Sequence, residues 1–349
     1  EGTLALVTSI TLALDQAPPK EGVMIAAHYN SIEKCLSSVA PLMKHPLFTC
    51  EMMDKTILDC TKNNISQTKN RFFIKGDPKG ILMLELRADS EEELERELES
   101  LKKTLDKINL SYDYAVMKGT EIQSALKLRS AGLGLLGNIV GDKKAVACIE
   151  DTAVPVDQLA NYIEEFTVLM EQYNQKPVYY AHAGAGELHL RPLLNLKKQE
   201  EVDQFKEITS AVANLVKKYK GSMSGEHGDG IVRSEYIQLM LGEINYQLIK
   251  SVKEIFDPFN IFNPGKIVDS LPMNQNFRYV PDRFEPKINT LMDFSSDEGI
   301  LKAVEKCNGS GDCRKTSSDA TICPSYRATR DEKDSTRGRA NVFREVLTQ

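Results

Sequence analysis

The chain predicts an α+β fold: a duplicated, ferredoxin-like antiparallel sheet with helices on one face, followed by a small helical C-terminal module. Three observations carry this expectation. Strand-length apolar runs alternate with helices of 3.6-residue periodicity in two successive rounds of strand, helix, strand. Two strand runs flank a glycine-bearing turn at Gly184 and Gly186, which reads as a hairpin. The composition then changes near residue 291, after a polar, proline-bearing stretch.

Along the chain, residues 1–15 read as one apolar strand, broken by Pro18-Pro19. Val23–Ala27 reads as a strand and Ser31–Met43 as a helix with Ser31 as its N-cap. Leu47–Met52 and Ile81–Leu86 have strand length, and Asp54–Cys60 reads as helical. Ser90 with Glu93 forms a capping box, and Leu94, Leu98, Leu101, Leu105 and Ile108 trace one face of a helix whose glutamates, 91–99, face solvent. The second round has a strand at Ala145–Ile149 and a helix at Val156–Met170. The hairpin follows, then a helix whose inner face is Val202, Phe205, Ile208, Val212, Leu215 and Tyr219. Ile244, Leu248, Val252 and Ile255 mark a further amphipathic helix, ended by Asp257-Pro258. Val342, Phe343, Val346 and Leu347 share one side of a helical pattern over Gly338–Gln349.

The totals exclude several classes. With 349 residues, 41% hydrophobic, 27% charged and a net charge of −6, the chain suits a soluble globular protein and offers no general nucleic-acid surface. No apolar run reaches the eighteen or so residues of a membrane span. Seven cysteines are an odd count. Cys35, Cys50, Cys60 and Cys148 stand among apolar neighbours and read as reduced core cysteines of a cytoplasmic protein. Both ends look cut: Glu1 enters a strand with no initiator methionine, and residue 349 stops inside a helix, so the chain reads as a fragment.

The densest chemistry lies between Tyr180 and Arg233, which holds three of the five histidines. If the hairpin turn centres on Ala185–Gly186, His182 and His189 are direct cross-strand partners, roughly 4.5–5.5 Å apart at Cβ and on one sheet face. Two such imidazoles form half of a divalent-metal site, to which Glu226 can add a carboxylate. His227, next in the chain, is then free to act as a base. The glycines around Glu226 and His227 favour close approach of backbone to a ligand.

These residues resemble a known family. Glu1-Gly-Thr-Leu, the His182-x-x-x-Gly-x-Leu-His-x-Arg-Pro hairpin, Gly225-Glu-His-Gly-Asp-Gly-x-x-Arg and Asn263-Pro-Gly-Lys-Ile-Val occur in the order found in FAD-linked oxidases of the D-lactate and D-2-hydroxyglutarate dehydrogenase type. The resemblance implies that residues 1–19 end a FAD-binding domain and that 20–270 form the FAD-linked oxidase C-terminal (substrate, or cap) domain. By the same resemblance 271–290 are a linker, and 291–349 begin a truncated iron–sulfur domain. It assigns His182, His189 and Glu226 to a divalent metal (zinc or manganese), His227 to the substrate's hydroxyl proton and Arg129 to its carboxylate. Asn263, Lys266, Gly2 and Thr3 would contact FAD. Cys307, Cys313 and Cys323, with Ser310 between the first two, resemble ligands of a 4Fe-4S cluster in a longer protein. The chain departs from many relatives at Ala185 and Glu187 of the turn, and carries Arg191 where some have asparagine.

The implied activity is oxidation of a D-2-hydroxy acid such as D-2-hydroxyglutarate or D-lactate, with hydride going to flavin and electrons to iron–sulfur clusters. The partners are then the substrate and a downstream acceptor, a quinone or an electron carrier. Location is cytoplasmic, with attachment at the periphery of the inner membrane and oligomerisation left open. Two alternatives stand beside it: a metal-free glycolate or D-lactate oxidase subunit, and a non-catalytic, ferredoxin-like metal-binding domain.

Overall fold

The computed structural model describes residues 1–62, 64–136, 139–316 and 323–348. Its first half runs β1 (Glu21–Tyr29), α1 (Ile32–Ser37), α2 (Val39–Leu42), β2 (Leu47–Asp54), α3 (Lys55–Cys60), α4 (Ile65–Thr68), β3 (Gly80–Ala88), α5 (Glu91–Ile108), β4 (Asp113–Lys118) and α6 (Thr120–Leu135). The second half continues with β5 (Lys144–Ala145), β6 (Ile149–Ala153), α7 (Leu159–Gln172), β7 (Val178–His182), β8 (Glu187–Arg191), β9 (Leu193–Leu194) and α8 (Gln199–Lys218). Short helices α9 (Gly230–Arg233) and α10 (Ile237–Leu241) lead to α11 (Glu243–Phe256), and the C-terminal part holds α12 (Ile300–Glu305), α13 (Pro324–Thr329) and α14 (Thr336–Thr348). Residue 349, to which the last helix was expected to run, lies outside the described residues.

Seven strands form one antiparallel sheet in the order β4-β1-β3-β2-β7-β8-β6. β1 and β3 are buried along nearly their whole length, which explains why they read as continuous apolar runs: both faces of the sheet are covered. Val23, Ile25, Ala27 and Tyr29 point to one face, where they meet α1, α5, α7 and α8 in the larger core. Met24, Ala26, Ile81 and Met83 point to the other, against Ile57 and Leu58 of α3 and Ile122, Ala125 and Leu128 of α6. Strand side chains alternate between faces, so one run feeds both cores. Helices on one face only was therefore the wrong expectation. α3 and α6 come from connections after β2 and β4, and their apolar stripes need the second face. Truncating Phe166, fully buried on α7, would cost roughly 3–5 kcal/mol.

Local signals behave as their chemistry requires. Ser90 Oγ accepts the Glu93 amide and starts α5, and Asn109 closes that helix in the left-handed region at φ 50°. Ser31 likewise caps α1, but the expected single helix to Met43 is split at Ser38, because Pro41 has no amide to continue the hydrogen-bond ladder. β4 and α6 have no counterpart in the sequence expectations, although Ile122, Ala125 and Leu128 carry helical spacing.

One further expectation is corrected, and two are given their surroundings. Residues 1–15 form no strand: no strand of the sheet offers them a backbone partner, and Leu6, Val7, Ile10, Leu12 and Leu14 are exposed. The 271–290 stretch, expected as a linker, lies against the body. Met273 is buried with its amide on Glu235, Phe277 packs edge-on to Phe205, and the Asp282 amide donates to Lys197 O. The amphipathic helix over 244–255 exists as α11, yet Ile244, Leu248 and Ile255 are exposed, because nothing among the described residues packs on that stripe. No helix among the described residues is long and apolar enough to cross a membrane.

Candidate functional site: a histidine and carboxylate cluster on the sheet

β7 and β8 form the expected hairpin, but its register differs by two residues. Tyr180 pairs with His189, and His182 pairs with Glu187. The reason is the turn: Ala183–Ala185 make one tight helical turn and Gly186 closes it at φ 70°, which shifts the centre of the hairpin. A Cβ on Gly186 would lie 2.0 Å from Val154 O, so only glycine fits there. The two histidines are thus diagonal rather than opposite. They still share a face, with ring centroids 5.2 Å apart and the rings nearly perpendicular.

The loop carrying Glu226 and His227 is brought over this face by Asp151. β6 has a bulge between Glu150 and Thr152, and Asp151 is the extra residue, left-handed at φ 78° and fully buried. Its carboxylate turns off the ladder and accepts the amides of Glu226 (2.9 Å) and His227 (3.0 Å) and the hydroxyl of Ser224 (3.0 Å). Its carbonyl takes the Gly225 amide, and a two-way backbone bridge joins Ala153 to Ser222. Gly225 permits the close approach, since a Cβ there would be 3.0 Å from Glu187 Cδ.

The result is convergent. Glu226 Oε1 lies 3.5 Å from His182 Nε2, 3.8 Å from His189 Nε2 and 3.1 Å from His227 Nε2. His189 and His227 stack at 5.4 Å. His182, His189 and Glu226 each offer a ligand atom, all within 4.8 Å of one another, as do two overlapping sets: Glu150, His189, His227 and Asp151, Glu226, His227. Two imidazoles and a carboxylate are a donor set suited to zinc or manganese, and the Nδ1 of His189 is buried without a hydrogen-bond partner. The residues present therefore fit a divalent cation. His189 is buried, while Glu226 and His227 face the open side.

Glutamates that the sequence reading overlooked surround the cluster. Glu51, on β2, bonds His182 Nδ1 (3.0 Å) and the Arg129 guanidinium (2.6 Å). Glu150 faces His189 Nδ1 at 3.6 Å and pairs with Arg191 through both oxygens, at 2.8 and 2.6 Å. The Glu51 bond raises the His182 pKa above the ordinary imidazole value, whereas burial lowers that of His189. Burial and a hydrogen bond shared with Asp151 push Glu187 up to about 7. Burial opposes the ionisation of Asp151, but the bonds from Glu187, the two loop amides and Ser224 outweigh it and hold Asp151 below the usual carboxylate range. An acidic residue inside a strand run was the available sequence signal for each of these.

Arg129, on α6, has its Cζ 4.4 Å from the centre of the Tyr180 ring and Nη2 3.4 Å from His182 Nδ1. It adjoins the cluster but is paired to Glu51. Gly2, Thr3, Asn263 and Lys266 come together elsewhere: Asn263 Nδ2 donates to Glu1 O (3.1 Å) and Lys266 Nζ to Asn263 Oδ1 (2.5 Å), while the buried Lys253 ties Thr3 O to Phe262 O. Glu1 links this patch to the site loop by accepting the Gly230 amide (2.8 Å). Ile267, β-branched, sits at φ 63° beside it, a strained conformation of the kind held at ligand sites.

Cys307, Cys313 and Cys323 lie in the C-terminal part. Among the described residues no three-membered ligand-spaced group contains a cysteine. The Cys323 thiol is instead engaged with Ser325 and Asp334 O, and hydrogen bonds led by that from Ser325 bring its pKa down to about 6. All seven cysteines are free, and of the four expected in the core Cys60 is only half-buried.

An antiparallel α+β layer presenting two histidines and a glutamate beside a glycine-rich loop defines a candidate ligand-binding domain. Residues 18–267 match the family of FAD linked oxidases, C-terminal domain. The chain belongs to that family. It is 32% identical, over 99% of its length, to a D-2-hydroxyglutarate dehydrogenase of Pseudomonas putida and 29% identical to that of Escherichia coli, but spans only 35% of each of them. A D-lactate dehydrogenase of Anaerostipes hadrus is 28% identical over 76% of the chain and 56% of its own length. Among solved structures, p-cresol methylhydroxylase with substrate bound superposes with a TM-score of 0.51 at 11% identity, covering 74% of this chain and 54% of that one, a likeness of fold alone.

Proposed function

We propose that the chain is the substrate-side part of an FAD-dependent dehydrogenase that oxidises a D-2-hydroxy acid, D-2-hydroxyglutarate or D-lactate, to the 2-oxo acid. The observation that carries the reading is the convergence of three imidazole Nε2 atoms on Glu226 Oε1. In this reading His182, His189 and Glu226 hold a divalent cation, zinc or manganese, which supplies Lewis acidity to the substrate hydroxyl. FAD, contacted through Gly2, Thr3, Asn263 and Lys266, supplies the hydride acceptor. His227, with Nε2 at 3.1 Å from Glu226 Oε1, takes the hydroxyl proton as hydride leaves the α-carbon. Arg129 grips the substrate carboxylate by giving up Glu51 for it, a like-for-like exchange of carboxylates. Asp151 keeps the His227 loop in place, and Tyr180 supports both Arg129 and His189.

The domain reading goes with it: 1–19 complete a FAD-binding domain, 20–270 form the cap, 271–290 connect, and 291–349 open a further module. We read the sheet as two β-α-β-β-α layers. β4-β1-β3-β2 is one, and β7-β8-β6 is the other, with Ser222 bridging where a fourth strand would lie.

The test is dye-linked turnover of the full-length protein with FAD and D-2-hydroxyglutarate, D-lactate or glycolate. His227→Asn should lower kcat by roughly 10²–10⁴-fold with little change in KM. No dye reduction with any D-2-hydroxy acid would overturn the dehydrogenase reading. Full activity after chelation would remove the cation and leave His227 and Arg129 as the reacting groups.

A further inference from the structure

The two hairpin histidines have the same surroundings on opposite sides. Each turns Nε2 toward Glu226 and Nδ1 toward a buried glutamate on the neighbouring strand, Glu51 of β2 for His182 and Glu150 of β6 for His189. Each glutamate is clamped by an arginine, Arg129 in the first case and Arg191 in the second. Glu51 and Glu150 are mostly or fully buried, so neither carboxylate is there for solubility. The ladder dictates both placements: Glu150 is the register partner of His189, and β2 pairs with β7 next to His182.

We propose that Glu51 and Glu150 are positioning residues that keep the proton of each imidazole on Nδ1, so that both Nε2 lone pairs are presented to a cation shared with Glu226. Arg129 and Arg191 hold the carboxylates correctly turned. The inference rests on the cation-site reading above and deepens it. A neutral imidazole carries one proton, and the acceptor beside one nitrogen decides which nitrogen is left as a ligand. Glu51 already accepts from His182 at 3.0 Å. At 3.6 Å, Glu150 stands just outside bonding range of the partnerless Nδ1 of His189, a gap that a small ring rotation on cation binding closes. Arg129 thereby gains a role even without substrate.

The experiment uses the full chain with ¹⁵N-labelled histidine, stripped of metal, at a pH where both imidazoles are neutral. Nitrogen shifts report the tautomer, and the same protein is titrated with zinc and with manganese. Expected are Nδ1-protonated rings for His182 and His189 in the wild type, loss of that tautomer at His182 in Glu51→Gln, and 10–100-fold weaker cation binding in Glu51→Gln and in Glu150→Gln. Glu51→Gln also strips Arg129 of its counter-charge, which by itself would repel a cation. The double variant Glu51→Gln/Arg129→Met separates the two causes: it stays weak if Glu51 acts through the ring. Recovery of wild-type affinity in the double variant, unchanged affinity in Glu51→Gln, or Nε2-protonated rings in the wild type would each overturn the proposal. If the wild type binds neither metal, the cation-site reading fails, and the tautomers still decide whether the glutamates position the rings. Circular dichroism identifies a Glu150→Gln chain that has simply unfolded, in which case Glu51→Gln alone decides.

Discussion

The histidine hairpin and the C-terminal module hold their chemistry-bearing residues by different means. Around the hairpin, backbone register fixes His182 and His189 through the β7–β8 ladder and Glu150 through its pairing with His189, and the bulge turns Asp151 toward the 224–227 loop, which its carboxylate holds. The C-terminal module is instead fastened by charge. Lys197 Nζ reaches Asp142 (3.0 Å), Glu285 (2.5 Å) and Glu305 (2.7 Å), so one ammonium group ties the cap, the 271–290 stretch and α12 together. Burial alone would lower the Lys197 pKa, but the three carboxylates outweigh it and keep the group charged. The lesson is that a ligand set converges where hydrogen-bonded strands leave no freedom of position.

This contrast can be broken or sharpened by five substitutions. The largest effect belongs to Asp151→Ala, which leaves the Glu226 and His227 amides without their acceptor and the Arg233 guanidinium without its counter-charge. It should cost on the order of 3–5 kcal/mol and abolish cation binding, read by urea unfolding and by elemental analysis. A stable variant that still bound metal would mean the loop needs no anchor.

Asp54 comes next, and its effect depends on pH. It caps α3 through the Ile57 amide and accepts the Tyr179 amide across the sheet, and burial pushes its carboxyl up to about 6. The folded pKa is above that of the unfolded chain, ~3.9, so the folded state binds the extra proton between these values. The contribution is therefore most favourable below pH ~4 and declines as pH rises to about 6, by at most about 3 kcal/mol. Asp54→Asn should gain stability relative to the wild type by that amount between pH 4 and 7, then run parallel to it. A constant difference across that window would show that the carboxyl titrates normally.

Lys197→Met should cost about 2 kcal/mol, below the value for a fully buried pair because Asp142 and Glu285 are partly exposed. Limited proteolysis should then cut within 271–299 while leaving the sheet intact. Joint loss of both regions would show that the module supports the cap. The smallest effect is expected on α11, where Leu248→Gln and Ile255→Gln replace exposed side chains and should shift stability by no more than ~0.5 kcal/mol.

Much of the site was legible because its residues are close in sequence. His182 and His189 flank one turn, Glu226 and His227 adjoin one glycine-rich loop, and the apolar alternation of β7 and β8 announced a hairpin. Local capping was equally readable at Ser31 and Ser90. What escaped was non-local. Glu51 lies 131 residues from His182 and reaches it only because β2 pairs with β7. Asp151 acts through a bulge, and α6, which carries Arg129, has too many small residues for its buried stripe to stand out.

By itself the sequence determined which residue types were available, the alternation of strands and helices, and the presence of a histidine hairpin beside a Gly-Glu-His-Gly loop, because these follow from side-chain periodicity and turn chemistry within a few residues. Only the tertiary structure decided the two-residue register of that hairpin, the second helical layer on the sheet and the glutamate behind each histidine. Each of those depends on which distant backbones pair and which buried charges find partners, and neither choice is made by neighbouring residues.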